Sequence, residues 1–552
     1  MKRWIAIALS VLMMFSMVAC SNSSTEESNS EEKIGAFEIT AAQRELAKSN
    51  SEGLSALDAG RGNPNWINTQ SRYAFSRFMD FAVQECERTL NYENMAGQAQ
   101  KDGIGARFDA AMNPSDSTDA FLINAVNYCV NTLGMNKDDL LKELVDGIIG
   151  DYYPEPSRCM TNTEVILNKY LQSTLYHGEN LADETQVFPT EGGSAAIVYI
   201  FNALEHNKLL KPNDKIAIAE PIFTPYLQIP HVDNYGLVSV DIHSNSKDNW
   251  DIPDDAFKTL EDPSIKAFFL VNPSNPASHQ LSQSSLKKLK KVVEKNPNLI
   301  IITDDVYGTF TNDFQTVYSV VPHNTILVYS FSKLYGVTGW RVGLVAMNKK
   351  NVLDDLLKSL SKKDKEALEK EYEIVRTDPE NMPFIERIVA DSRSIGLYHT
   401  SGLSTPQQVF MDILALTHLV CENNDEYIEL SKAVVAERHK ALYDSLKLKE
   451  TADPDDARYY ALLNIEAIAK ANFDKKFADW MGENVDDLSF LEKLAGKYGV
   501  VLMYGPGFNG PENSIRVSLA NLNKEDYNEI GRRILLLMND YHREMLQKGN
   551  KK

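Results

Sequence analysis

Short apolar runs separated by helix-length stretches are the dominant pattern in this chain. Residues 215–219, 267–271, 299–303 and 325–329 are dominated by Ile, Val, Leu, Phe and Ala, the composition of strands covered on both faces rather than strands alternating between core and solvent. Helical spacing over 282–294 predicts a crossover between the second and third runs. Each run ends in polar, Gly or Pro residues. This alternation predicts an α/β fold with a mainly parallel sheet, and such sheets collect their working residues just past the strands' carboxyl ends.

On either side the pattern changes. Helices are predicted over 40–59, with Leu46, Leu54 and Leu57 on one face, and over 71–90, 121–133 and 137–149. Beyond Ala346 the stretch 348–395 is rich in Lys, Asp and Glu with leucines at helical spacing, a helical excursion with a solvated face. Helices over 402–419 and 425–446, a strand over 462–468 followed by a helical insertion, and strands over 500–507 and 514–519 make a smaller α+β domain. The expected organisation is an N-terminal helical segment with part of the small domain at 39–150, a large domain at 151–400 with its insertion at about 350–395, and a C-terminal small domain at 401–548.

The first residues stand apart. Lys2 and Arg3 precede an apolar run from Trp4 to about Val18, too short to span a bilayer, and 1–20 is read as a signal peptide. Met17-Val-Ala-Cys20 resembles a bacterial lipobox, with Cys20 acylated after cleavage. Residues 21–38 follow as an acidic, Ser-rich tether. The expected location is the cell envelope, on the periplasmic side of a membrane, with the membrane met only through the lipid. The remaining cysteines, Cys86, Cys129, Cys159 and Cys421, have no metal-ligand spacing, and buried free thiols are expected.

With 552 residues, 43% of them hydrophobic, the chain has material for more than one domain. A net charge of −20 without clustered cations excludes nucleic acid as a partner.

Candidate chemistry sits at the ends of the apolar runs. Lys333 follows one, flanked by Ser330 and Ser332, with Arg341 eight residues on. An amine desolvated beside positive charge loses proton affinity, which condensation with an aldehyde requires. The two serines and Arg341 would hold a phosphate. Gly193 and Ser194 open a helix whose free amides favour the same anion. Arg516, alternating inside the strand Ile-Arg-Val-Ser, is too costly to bury without a partner, and its fork fits a carboxylate.

In order along the chain stand Gly62-x-Pro64, Tyr152-x-Pro154, Gly192-Gly-Ser194, Phe223, Asn272-Pro-Ser-Asn-Pro276, Asp304-x-x-Tyr307, Ser330-x-Ser-Lys333, Arg341 and Arg516. This set resembles the fold-type I pyridoxal-phosphate enzymes of the aspartate aminotransferase superfamily. The resemblance implies a mainly parallel seven-stranded large domain, a smaller α+β domain and pyridoxal 5'-phosphate carried on Lys333. It implies Asp304 facing the pyridine nitrogen, and Tyr307 and Asn275 donating to the phenolic oxygen. Phe223 would stack on the ring, and Gly193, Ser194, Ser330, Ser332 and Arg341 would hold the phosphate. Arg516 would clamp the α-carboxylate with Gly62 close by and Arg61 adding charge. Tyr152, with Tyr153 as its rival, would reach the phosphate of a neighbouring subunit in a homodimer or larger homo-oligomer. One departure stands out: Ala277-Ser278 replaces the usual Thr-Gly.

The length, the segment from Ala59 to Trp66, the segment around Arg158 and the helical excursion more narrowly resemble the aspartate 4-decarboxylase family. That implies β-decarboxylation of L-aspartate to L-alanine and carbon dioxide with a side aminotransferase activity. The alternatives are a plain aminotransferase, which needs a 2-oxo-acid acceptor, and an envelope lipoprotein that binds a ligand on a dead enzyme fold. Arg61 and Arg158 are the candidates for the distal carboxylate.

Overall fold

The computed structural model of the protein describes residues 36–549, apart from 232–234, 422–423 and 451–452. The expected signal peptide, Cys20 and most of the expected tether lie outside the described residues. The tether ends earlier than its composition predicts, because helix α1 (Ala36–Lys48) already begins with a buried alanine.

Seven strands form the central sheet: β1 (Thr185–Thr190), β2 (Lys215–Glu220), β3 (Val238–His243), β4 (Ile265–Val271), β5 (Ile300–Asp304), β6 (Thr325–Ser330) and β7 (Gly343–Asn348). Their order is β1-β7-β6-β5-β4-β2-β3, with β7 antiparallel to both neighbours and the other pairs parallel. β5, β6 and β7 are buried at every residue, as unbroken apolar runs demand when helices cover both faces. One core joins β1, β6, β7 and the helix Gly193–His206. A second lies between the alternate residues of β4 and β5 and the helix Gln283–Lys295, where Leu286, Leu289 and Val292 face inward. Each such side chain, once buried, contributes about 1.5–3 kcal/mol.

The small domain carries an antiparallel sheet of β8 (Tyr460–Asn464), β9 (Met503–Tyr504) and β10 (Ser514–Ser518), ordered β8-β10-β9. The helix Thr405–Leu419 is buried on nearly all sides and packs on Thr161–Leu175 and Lys137–Ile149. A helix apolar all round is a core helix. It therefore sits in the core of the large body, although its sequence position assigns it to the C-terminal domain.

Three predicted elements come out differently. The helix expected over 40–59 stops at Lys48, because the Asn50 side-chain amide bonds the Ala47 and Leu54 carbonyls and the Leu54 amide, and Gly53 turns the chain at φ +64°. Leu57 then pairs with Val500 in a two-residue parallel bridge. The strand expected over 462–468 ends at Asn464, whose side chain accepts from the Ala467 amide and starts a helix. The excursion at 348–395 folds as Val352–Lys358, Lys362–Tyr372 and Phe384–Ser392, and it buries its own cluster of Leu368, Tyr372, Met382, Ala390 and Ile395. Cys86, Cys129 and Cys159 are buried and Cys421 only partly so, all four unpaired. Burial pushes each thiol up, away from the reactive thiolate.

Candidate active site

A cavity of about 460 Å³ opens over the carboxyl ends of β2, β4, β5 and β6, where the small domain meets the sheet. Thirteen predicted site residues line it: Arg61, Gly62, Gly193, Ser194, Phe223, Asn275, Asp304, Tyr307, Ser330, Ser332, Lys333, Arg341 and Arg516. Five contributing loops follow sheet strands, so the parallel topology itself gathers them.

One end of the cavity is built for an anion. The helix Gly193–His206 starts there with its free amides, and Gly192 before it takes φ +86°. A side-chain carbon on Gly192 would lie 2.4 Å from Arg341 Nη2, and one on Gly343 would lie 2.8 Å from the Gly192 carbonyl carbon. Glycine at both places lets strand and guanidinium close on the turn. Ser330 Oγ donates to Ser332 Oγ at 2.8 Å, and Arg341 Nη2 donates to the Glu191 carbonyl at 3.2 Å. A helix start, two hydroxyls and a guanidinium together have the chemistry of a phosphate site.

Lys333 Nζ donates to the Gly62 carbonyl at 3.2 Å. Asp304 ends β5 almost fully buried; its Oδ2 accepts from Tyr226 Oη at 2.8 Å and its Oδ1 from the Val306 amide at 3.3 Å. Burial pushes its carboxyl up to about 6, against the pull of the Tyr226 hydroxyl, the Val306 amide and the nearby Lys333. Asp305 points away from the cavity, is held by Thr303 and is pushed by burial to about 8. Of the two carboxyls, Asp304 is the one that lines the cavity.

Arg516 is fully buried and has no carboxylate within ion-pair distance among the described residues. Its Nη1 donates to Asn275 Oδ1 at 3.0 Å and its Nη2 to the Gly60 carbonyl at 2.7 Å, while Nε finds no acceptor. The guanidinium lies between the rings of Tyr460, at 4.2 Å, and Phe508, at 4.8 Å. Burial lowers its pKa from the ordinary arginine value. A desolvated cation with a spare donor facing a cavity is built for an anion that arrives from outside. By occupying Asn275 Oδ1, Arg516 also leaves the Asn275 amide hydrogens for another acceptor.

Eight residues that line the cavity escape the sequence reading, and four of them make contacts that shape it. Tyr226, which supports Asp304, lies three residues after Phe223, so an aromatic one turn further on was a usable signal. Tyr460, whose hydroxyl meets Tyr307 Oη at 2.8 Å, comes from the distant strand β8 and carried no local mark. Phe37 and Arg44 come from α1; Phe37 stands edge-on to Phe223 at 5.7 Å, and Arg44 pairs with Asp58 at 2.6 Å.

Two candidates fall elsewhere. Tyr152 is 46% exposed and lines a separate cavity with Tyr153, Glu143 and Met160. Arg158 is overturned as a holder of the distal carboxylate, because it is buried between Glu164 at 2.5 Å and Glu386 at 2.9 Å and donates to the Val187 carbonyl. Its charge is already satisfied inside the large domain. Arg61, exposed at the cavity wall, remains.

Residues 166–534 match the family profile of aminotransferase class I and II. A bifunctional aspartate aminotransferase and L-aspartate beta-decarboxylase from a Pseudomonas species is 40% identical over 493 residues, covering 88% of this chain and 93% of that protein. An asparagine–oxo-acid transaminase from Streptococcus mutans is 24% identical over 322 residues, or 56% of this chain and 67% of its own length. Among solved structures, a single mutant of Thermus thermophilus aspartate aminotransferase aligns with a TM-score of 0.60 at 15% identity, over 94% of this chain and all of that one. The aromatic aminotransferase of Pyrococcus horikoshii aligns at 0.56 and 16% identity, over 91% and 99% of the two chains. Both share the fold described here.

Proposed function

Because this chain belongs to the aminotransferase class I and II family, we propose that it removes the β-carboxylate of L-aspartate to give L-alanine and carbon dioxide, with transamination as a side activity. The observation that carries the reading is Arg516, a buried guanidinium without a counter-ion among the described residues, lining the same cavity as Lys333. The choice of a decarboxylase draws on the Pseudomonas relative, whose name joins both activities and which this chain matches over most of both lengths.

The family works with pyridoxal phosphate, and the residues present fit it: an anion cradle at Gly193, Ser194, Ser330, Ser332 and Arg341, a wall at Phe223, an amine at Lys333 and a buried carboxyl at Asp304. When bound, the cofactor supplies an aldehyde for the amine and a ring that accepts electrons. The protein supplies the rest. Arg516 takes the α-carboxylate through Nε and an Nη and so fixes which Cα bond faces Lys333. The Lys333 amine then removes the Cα proton as general base. Asp304, paired with a cationic nitrogen, stays ionised despite its burial. Asn275 and Tyr307 would donate to the cofactor's phenolic oxygen. Arg61 meets the distal carboxylate at the cavity wall; its loss as carbon dioxide leaves an electron pair on Cβ, which takes a proton, and Lys333 returns a proton to Cα to give alanine.

Incubation of the purified protein with L-aspartate alone tests the reading. One carbon dioxide per alanine is expected, with oxaloacetate a minor product, and Arg61→Ala should raise KM for aspartate more than it lowers kcat. Oxaloacetate in place of alanine and carbon dioxide, formed in quantity only after a 2-oxo acid is added, would make the protein a plain aminotransferase.

The chain is further proposed to assemble as at least a dimer, with exposed Tyr152 serving the site of a second copy, and to be anchored through Cys20. Palmitate labelling that disappears in Cys20→Ser, and a sedimenting mass of at least two chains, are the expected results. Unlabelled protein or a monomer removes the corresponding half.

A further inference from the structure

Resting on that reading of the cofactor site, we propose that Tyr460 is a positioning residue: its hydroxyl donates to Tyr307 and so turns the Tyr307 proton toward the cofactor's phenolic oxygen. It thereby joins the α-carboxylate clamp to that oxygen through one side chain.

Two tyrosyl hydroxyls 2.8 Å apart share one proton between them and leave the other free. Which hydroxyl donates decides whether Tyr307 has a proton to offer. The guanidinium of Arg516 lies 4.2 Å over the Tyr460 ring. A cation on that face draws electron density from the Tyr460 ring and so favours its hydroxyl as the donor of the pair. Tyr307 then accepts from Tyr460 and keeps its own proton for the cavity. Two tyrosines linked this way also polarise each other, so the second donor is stronger than an isolated phenol.

The surroundings hold Tyr460 in place for this. Its amide donates to Ser278 Oγ at 2.8 Å, and the Ser278 carbonyl accepts from the Ala457 amide at 2.8 Å. The departure from the usual Thr-Gly after the Asn-Pro turn thus has a physical use: the Ser278 hydroxyl fastens β8 to the turn that bears Asn275. On the other side, a side-chain carbon on Gly62 would lie 2.2 Å from Tyr460 Oη, so glycine there leaves the hydroxyl its room. Tyr459 beside it makes no such link. Its hydroxyl donates to the Gly62 carbonyl at 2.8 Å.

The test is a pH titration of the visible absorbance of the holoenzyme. Above the midpoint the bond between Lys333 and the cofactor has lost its proton, and the phenolic oxygen depends on protein donors. A weakened Tyr307 disfavours that form, so Tyr460→Phe is expected to move the midpoint upward by about half a pH unit or more. Tyr307→Phe should move it further, and the double variant should match Tyr307→Phe alone, because the Tyr460 hydroxyl acts only through Tyr307. Binding of maleate, an unreactive dicarboxylate, should stay within about twofold in Tyr460→Phe, since the ring under Arg516 remains. An unmoved midpoint in Tyr460→Phe, an additive double variant, or a collapse of maleate binding would each overturn the proposal. A wild-type protein without visible absorbance would instead sink the cofactor reading on which it rests.

Discussion

Alanine at position 333 is expected to abolish release of both carbon dioxide and oxaloacetate from L-aspartate, and to leave no pigment that borohydride can fix to the chain. Lys333 is the amine that the cavity gathers around: the anion cradle of Gly193, Ser330, Ser332 and Arg341, the buried Asp304 and the buried Arg516 all line the same space. Its Nζ makes one hydrogen bond, to the Gly62 carbonyl, so removing it costs the fold little. The chemistry loses two contributions together, a covalent attachment and a general base, and the second alone is worth about 10²–10⁴-fold. A residual rate below about a thousandth of wild type is expected on that scale. The check has two arms, product release from aspartate and peptide mapping of the borohydride-treated wild type. A label on any other lysine, or a Lys333→Ala protein that still turns over aspartate, would remove the assignment of every other group in the cavity.

Much of this cavity is legible in the amino-acid sequence because of where its residues sit along the chain. Lys333, Asp304, Asn275 and Phe223 each follow an apolar run by a few residues, and a parallel sheet brings the ends of such runs to one edge whatever the intervening helices do. Arg516 betrayed itself by cost, a guanidinium in an apolar strand. Tyr460 had no such mark. It reaches the cavity only because β8 pairs with β10 and Ser278 fastens it to the Asn-Pro turn, relations among residues 58 and 182 positions apart in sequence. Arg158 misled for the opposite reason. Its charge suited a substrate, but the two glutamates that satisfy it come from positions 164 and 386, and nothing local announces the second. The helix expected over 40–59 failed because Asn50 and Gly53 end it through hydrogen bonds and a left-handed turn that apolar spacing does not report.

Asp304→Asn is expected to stabilise the cofactor-free protein at neutral pH while disabling the loaded enzyme. Burial pushes the Asp304 carboxyl from its ordinary 3.8 to about 6. The folded-state value lies above the unfolded one, so the folded chain holds the proton more tightly, and stability falls as the pH rises from about 4 through about 6. A shift of about two units corresponds to roughly 3 kcal/mol, an upper figure for what ionising this group costs the apoprotein at neutral pH. Asparagine keeps an oxygen for the Tyr226 hydroxyl and removes the charge. Urea unfolding of the two apoproteins should therefore give a higher midpoint for Asp304→Asn at pH 7.5 and a gap about a third as large at pH 4.5, where only about 1 kcal/mol of the cost is present. With cofactor the sign reverses, because the cationic ring nitrogen then lacks its partner. Removing one member of a buried charge pair costs about 3–5 kcal/mol, and at about 1.4 kcal/mol per decade that is roughly 10²–10³-fold in kcat. Apoprotein midpoints that differ equally at both pH values would show that the carboxyl is not the source of the cost. Turnover within about tenfold of wild type would show that this carboxylate does not face the reacting ring.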